Sequence, residues 1–196
     1  MDRRKVIIIN GPSGVGKSTV SHIFSREIRR GVHIDVDILR HLVARHRLTH
    51  EQVHLAYRNA AALASNFLDA GYTVIVDGVF PKGNDLAAFC RALKNPRASV
   101  YVYTLSGKLP VLQQREAMKM GSDSYRQRVS KLHKTMEAER GRLGVTIDTT
   151  DLGIMETVAR IKSLLARGIG RLTDGFRAEN RKTPRINRQG RQGRQE

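Results

Sequence analysis

The residues with the clearest chemistry lie together near the start of the chain: Gly11, Pro12, Ser13, Gly14, Val15, Gly16, Lys17, Ser18 and Thr19. They fit the pattern G-x-x-x-x-G-K-[ST], in which glycines let successive backbone N–H groups turn inward around a polyphosphate. A helix opening at Lys17 adds its positive N-terminal end. Lys17 is then placed to reach the terminal phosphates, and the Ser18 hydroxyl to ligate magnesium. The run Lys5-Val-Ile-Ile-Ile-Asn10 precedes the loop, and Val20, Ile23, Phe24 and Ile28 form an apolar helical stripe after it. Strand, glycine turn and helix are the context this chemistry needs, so ATP and Mg2+ are the expected ligands.

A second set of candidates follows. A helix over 18–30 rises about 20 Å, and a five-residue strand over 32–36 returns about 17 Å. Asp35 and Asp37 therefore arrive beside the loop, at the carboxyl edge where ligands bind in open α/β sheets. A carboxylate there can hold magnesium's waters or take a proton from an attacking hydroxyl. Either acid can also cap the next helix. Only one of the two is expected to face an acceptor. Arg40, three residues after Asp37, shares its helical face and can pair with it or grip an anionic acceptor.

The elements that must position these groups show in the apolar pattern. Val6–Ile9, Thr73–Val76 and Val100–Leu105 read as buried strands, with Val32–Val36 and Val145–Ile147 as shorter ones. Further helical stripes run through Ala56, Ala60, Leu63 and Phe67, and through Ile154, Val158, Ile161 and Leu165. Gly31 and Gly71 each follow a helix and precede a strand, where a left-handed residue is expected. Strands alternating with helices imply a three-layer α/β/α domain with a five-stranded parallel sheet and about seven helices over residues 1–167. Residues 168–196 carry seven Arg and one Lys against three acids, without apolar periodicity. They read as a basic, disordered tail.

The order of motifs resembles the P-loop small-molecule kinases, a group that includes shikimate, gluconate and adenylylsulfate kinases and chloramphenicol phosphotransferase. The residues that carry the likeness are the phosphate loop, Asp35-Val-Asp37-Ile-Leu-Arg40, Val74-Ile-Val-Asp77-Gly-Val-Phe80 and Ile147-Asp148-Thr-Thr150. The Asp-x-x-Arg at Asp37 and Arg40 is similar to the kinase domain of phage polynucleotide kinase. The resemblance implies a P-loop NTPase fold with a small lid around residues 115–128. It implies that Asp37 acts as base or acceptor ligand, that Asp35 orders magnesium-bound water, and that Asp77 is the Walker-B-like acid. It also implies that Arg115 and Arg126 are lid arginines and that Thr150 lies in a loop near the adenine. The expected activity is ATP-dependent phosphorylation of a hydroxyl on a metabolite or antibiotic. A polynucleotide 5′-hydroxyl or a nucleoside monophosphate are the alternative acceptors, and a non-catalytic nucleotide- or RNA-binding module is the rival from another class. The acceptor is expected between Asp37 and the helices spanning 38–70, where Ala60 to Ala64 leave room.

Composition bounds the rest. At 196 residues and 40% hydrophobic, the chain can bury one sizeable core. A net charge of +17 favours anionic partners without choosing among them, and the tail's arginines suit nucleic-acid backbone contact. The single cysteine, Cys90, sits on an apolar helical face, which suits a reducing cytoplasm. No membrane segment is expected, and the oligomeric state is not legible. One motif stands outside this picture. His50-Glu51-Gln-Val-His54 matches H-E-x-x-H, a zinc signature. With no third ligand at a familiar spacing, the histidines read as surface or substrate-side groups.

Overall fold

The computed structural model describes residues 4–42, 49–120 and 124–173. Its strands are β1 (Lys5–Asn10), β2 (Gly31–Asp35), β3 (Thr73–Gly78), β4 (Ser99–Ser106) and β5 (Val145–Asp148). Its helices are α1 (Lys17–Arg26), α2 (Val36–His41), α3 (His50–Asp69), α4 (Gly83–Ala92), α5 (Leu109–Met120), α6 (Ser124–Ala138) and α7 (Ile154–Ala166), with a 3-10 turn over Arg140–Arg142. The five strands form one sheet in the order β2-β3-β1-β4-β5, every pair parallel.

The sheet is buried on both faces, and β1 shows why its run is continuously apolar. Val6 and Ile8 point into a core built with α3 and α4, including Tyr57, Leu68, Leu86 and Phe89. Ile7 and Ile9 point into a second core, built with α1 and α7, that includes Phe24, Val158 and Ile161. These four β1 residues are fully buried, so truncating Ile7, Ile8 or Ile9 to Ala costs about 2–5 kcal/mol.

Expectations are corrected in three places, the first being the connection from the phosphate loop to β2. The helix after the phosphate loop ends at Arg26, four residues early. The left-handed residue before β2 is Arg30 (φ 59°), not Gly31. Gly31 is required for space instead, since a Cβ there would lie 2.1 Å from Ser25 O. Gly71 has the left-handed conformation expected of it, with φ 80°.

The second correction concerns Ala60, Ala61 and Ala64. They are fully buried against the sheet, so they form a close helix–sheet contact and leave no room for an acceptor.

The third concerns the domain edge. Residues 168–173 do not separate from the fold as their composition suggests. Val102 N donates to Gly170 O (2.9 Å) and Leu172 N to Val100 O (2.8 Å), so this segment runs antiparallel along the part of β4 that β5 leaves uncovered. Tyr103 Oη donates to Ile169 O (2.8 Å). Residues 174–196 lie outside the described residues.

Candidate active site

Because every strand runs in one direction, all five carboxyl ends meet at one edge. Asn10 ends β1 there and anchors the loop that follows. Its Nδ2 donates to Phe80 O and Thr104 Oγ1, each at 3.1 Å, and its Oδ1 accepts from Phe80 N (2.9 Å). A buried amide thus ties β1 to the exits of β3 and β4. The sequence signal was a polar residue closing an apolar run, and it was missed.

The loop over 11–16 then turns into α1. Gly14 has φ 81°, and a Cβ on it would lie 2.5 Å from Leu112 O, so only glycine lets the loop pass α5. Gly16, at φ 91°, stands at the N-cap of α1 with no side-chain cap. The first N–H groups of the helix, which have no intrahelical carbonyl, are left to an anion. Lys17 is buried, and its Nζ donates to Pro12 O (3.1 Å), so the ammonium lies within the loop's own span. Ser18 and Thr19 are exposed on the first turn. Amides, an ammonium and a hydroxyl are the donor set that a magnesium-bound polyphosphate needs.

On one flank stand the acids. Register pairs Asp77 with both Ile9 and Asp35, so the two carboxylates occupy neighbouring strands just before the edge. Asp77 is almost fully buried and meets His33 Nε2 at 2.9 Å, a partner the sequence reading did not identify. Strand β2 ends at Asp35 rather than Val36, so Asp37 falls in the helix that follows. Asp35 is the N-cap of α2, accepting from Asp37 N (2.7 Å) and Ile38 N (3.3 Å), and Asp37 lies in the first turn. Burial pushes the Asp35 carboxyl above its usual range, and the Asp77 charge adds to this; the two backbone N–H groups pull it back in part.

Asp37 is ion-paired with Arg40, as their spacing allowed. The pair is asymmetric. Asp37's side chain is 40% exposed and Arg40's only 12%. Arg40 Nε is buried without a hydrogen-bond partner among the described residues. Behind the pair, Tyr57 of α3 is buried, stacks on Phe80 (4.6 Å between centroids) and donates to Val79 O (2.8 Å). Burial pushes its phenol well above the usual range. Tyr57 also went unnoticed, because a lone tyrosine in an alanine-rich helix reads as ordinary core.

On the other flank, Arg115 and Thr150 do come together. Arg115 Nη2 lies 3.5 Å from Thr150 O. Thr150 Oγ1 accepts from Lys108 N (3.0 Å) and donates to Asp148 Oδ1 (2.6 Å), which also takes Thr150 N (2.8 Å). Those two bonds hold the Asp148 carboxyl below its usual range. Thr149 is buried and donates twice to Ser106 O. Arg126 falls in α6, but its side chain lies outside the described residues, as do residues 121–123 of the expected lid.

Known proteins agree with this architecture. The family model described as AAA domain matches residues 6–143. Among solved structures, the Deinococcus radiodurans tunicamycin resistance protein is similar over 87% of this chain and 99% of its own, at 19% identity and TM-score 0.66. A gluconokinase from Sinorhizobium meliloti aligns over 85% and 95% at 22% identity and TM-score 0.62. The Mycobacterium tuberculosis APS kinase, solved with AMPPNP and APS, aligns over 84% and 98% at 18% identity and TM-score 0.63. No curated protein sequence matches. The shared fold is that of P-loop kinases.

Proposed function

The chain belongs to the AAA domain family, and from that premise we propose that it transfers the γ-phosphoryl group of ATP to a hydroxyl of a small molecule. The observation that carries this reading is the Asp37–Arg40 pair, at the same sheet edge as the phosphate loop, with an open carboxylate and a buried, unpaired Arg40 Nε. An unpaired buried donor is costly, about 1–3 kcal/mol, and an oxygen-rich acceptor would satisfy it.

In the proposed step, Asp37 takes the proton from the acceptor hydroxyl as its oxygen bonds to the γ-phosphorus. The bridging bond to the β-phosphate breaks, and ADP leaves with those electrons. Lys17 and the amides of residues 13–18 offset the charge that develops on the phosphoryl oxygens. Ser18, Asp35 and Asp77 would hold Mg2+, directly or through water, and the ion would neutralise phosphate charge. Arg40 orients the acceptor. Arg115 and Thr150 support the nucleotide on the opposite flank, with Arg126 as a second lid cation.

A metabolite or antibiotic hydroxyl is the acceptor class proposed, and the net charge of +17 keeps a polynucleotide 5′-hydroxyl as the second reading. In that reading, residues 174–196 contact nucleic acid. A transfer assay with γ-labelled ATP separates the two, using sugars, aminoglycosides, chloramphenicol, nucleosides, nucleotides and a 5′-hydroxyl oligonucleotide. Label on a small acceptor supports the first reading, and label on the oligonucleotide alone replaces it. No label together with no ATP binding defeats both.

A further inference from the structure

The H-E-x-x-H motif, set aside in the sequence for want of a third ligand, has one in the fold. A capping box starts α3: Gln52 N donates to Thr49 Oγ1 (3.3 Å), and Thr49 N donates to Gln52 Oε1 (2.9 Å). This fixes the helix from its first residue, so His50 and His54 share a face. Their Nε2 atoms are 3.1 Å apart. Asp85, in the first turn of α4, brings its Oδ1 to 3.4 Å from His54 Nε2. The three ligand atoms all lie within 4.8 Å of one another.

Three features make this more than an incidental polar contact. Asp85 is buried and already oriented, because its other oxygen, Oδ2, accepts from Lys82 N (3.1 Å). That leaves Oδ1 for the histidines. Next, tetrahedral ligation at about 2.0–2.1 Å sets donor atoms about 3.3 Å apart, close to the 3.1 Å and 3.4 Å separations from His54 Nε2, with His50 Nε2 and Asp85 Oδ1 within 4.8 Å of each other. Finally, two imidazole nitrogens and a carboxylate oxygen present three lone pairs to one point. A single proton bridges only one of these pairs at a time, whereas a cation engages all three.

We propose that His50, His54 and Asp85 bind a divalent transition metal ion, zinc by ligand type. The ion clasps the start of α3 to the start of α4. The nitrogen-rich set disfavours magnesium, which takes oxygen ligands. The clasp sits beside the acceptor flank, since the His54 ring meets Tyr57 edge-on at 5.6 Å and Tyr57 holds Val79 and Phe80. Its role is positional, and the site stands independently of the phosphotransfer reading.

The test uses the full chain, stripped with a chelator and titrated with Zn2+ by calorimetry and with Co2+ by visible absorption. One zinc per chain is expected, with tetrahedral cobalt bands and a thermal midpoint raised by zinc. Excess Mg2+ should leave binding unchanged. His50→Gln and Asp85→Asn should each weaken zinc by about tenfold or more and lose the stabilisation. Asp85→Asn retains an oxygen to accept Lys82 N, and His50→Gln alters an exposed side chain, so loss of folding does not explain a loss of binding in both. Wild-type zinc affinity in His50→Gln/His54→Gln would place the metal elsewhere and overturn the proposal. So would no binding by the wild type up to millimolar zinc.

Discussion

The two flanks of the phosphate loop are built on different physics. The flank at the ends of β4 and β5 is a web of hydroxyls and backbone groups: Thr150 with Lys108 N and Asp148, and Thr149 with Ser106 O. Among the described residues, its one buried side-chain group without a partner is the neutral Ser106 hydroxyl. The flank at the ends of β2 and β3 holds ionisable side chains in pairs, Asp35 by Asp77, Asp77 by His33 and Asp37 by Arg40. There the unpaired group belongs to a guanidinium. Short-range bonds among hydroxyls, backbone groups and the exposed Asp148 carboxylate fix a shape. Charged groups with bonding capacity left over can discriminate among ligands, because a wrong ligand leaves them unpaired. In the proposed function the first is the nucleotide flank, which should tolerate change, and the second is the acceptor flank, which should not.

The largest effect lies between the flanks. Lys17→Ala removes the charge that both sides use, and turnover should fall by on the order of 10² to 10³ or more. The fold should survive, as checked by circular dichroism. Unchanged turnover in Lys17→Ala would remove the basis for assigning roles to either flank.

The acceptor flank comes next. Asp37→Asn keeps size and bonding shape but cannot take a proton. The rate should fall by on the order of 10² to 10⁴, while calorimetry finds ATP affinity with magnesium changed by less than about 1 kcal/mol. Full activity in Asp37→Asn with an inactive Asp35→Asn would exchange the two roles.

On the nucleotide flank the effect should be smaller and of another kind. Thr150→Val deletes the acceptor for Lys108 N and the donor to Asp148, a loss of about 1–2 kcal/mol. KM for ATP should rise several-fold with kcat nearly kept. A collapse of kcat would show that this flank is not the permissive one.

What was legible in the sequence divides along the same line. The phosphate loop is contiguous, so its pattern, the preceding strand and the following helix could be read together. Asp35 could be placed at the sheet edge by counting helix and strand lengths and Asp77 through the resemblance, and the register sets the two on neighbouring strands. The hidden parts depend on tertiary approach. Asp85 meets His54 only because α4 packs on α3. His33 reaches Asp77 from the adjacent strand. The alanines of α3 looked like space for a ligand, but small side chains on a packed helix serve equally to bring it close to a sheet, and here they do. Residues 168–173 looked like tail because backbone bonds to an uncovered strand need no apolar period.

The smallest effect is one of pH, and it concerns Asp35. Burial and the Asp77 charge raise its carboxyl above its ordinary value of 3.8. In the window between that value and the raised one, the folded state binds more protons than the unfolded state. Stability therefore falls as pH rises through the window. Asp35→Asn removes the charge but keeps an oxygen for the N–H groups of Asp37 and Ile38, and Asn caps helices as well as Asp does. Without nucleotide or magnesium, the variant should therefore melt slightly above the wild type at neutral pH. The gap should close as pH is lowered toward the ordinary carboxylate range. Adding ATP and magnesium should reverse the order, because a dication turns the crowded acids from a cost into a ligand set. A variant that melts below the wild type at neutral pH without ligand would mean that the Asp35 charge serves the helix cap. The acceptor flank's acids would then belong partly to the scaffold, and the contrast between the flanks would rest on Asp37 and Arg40 alone.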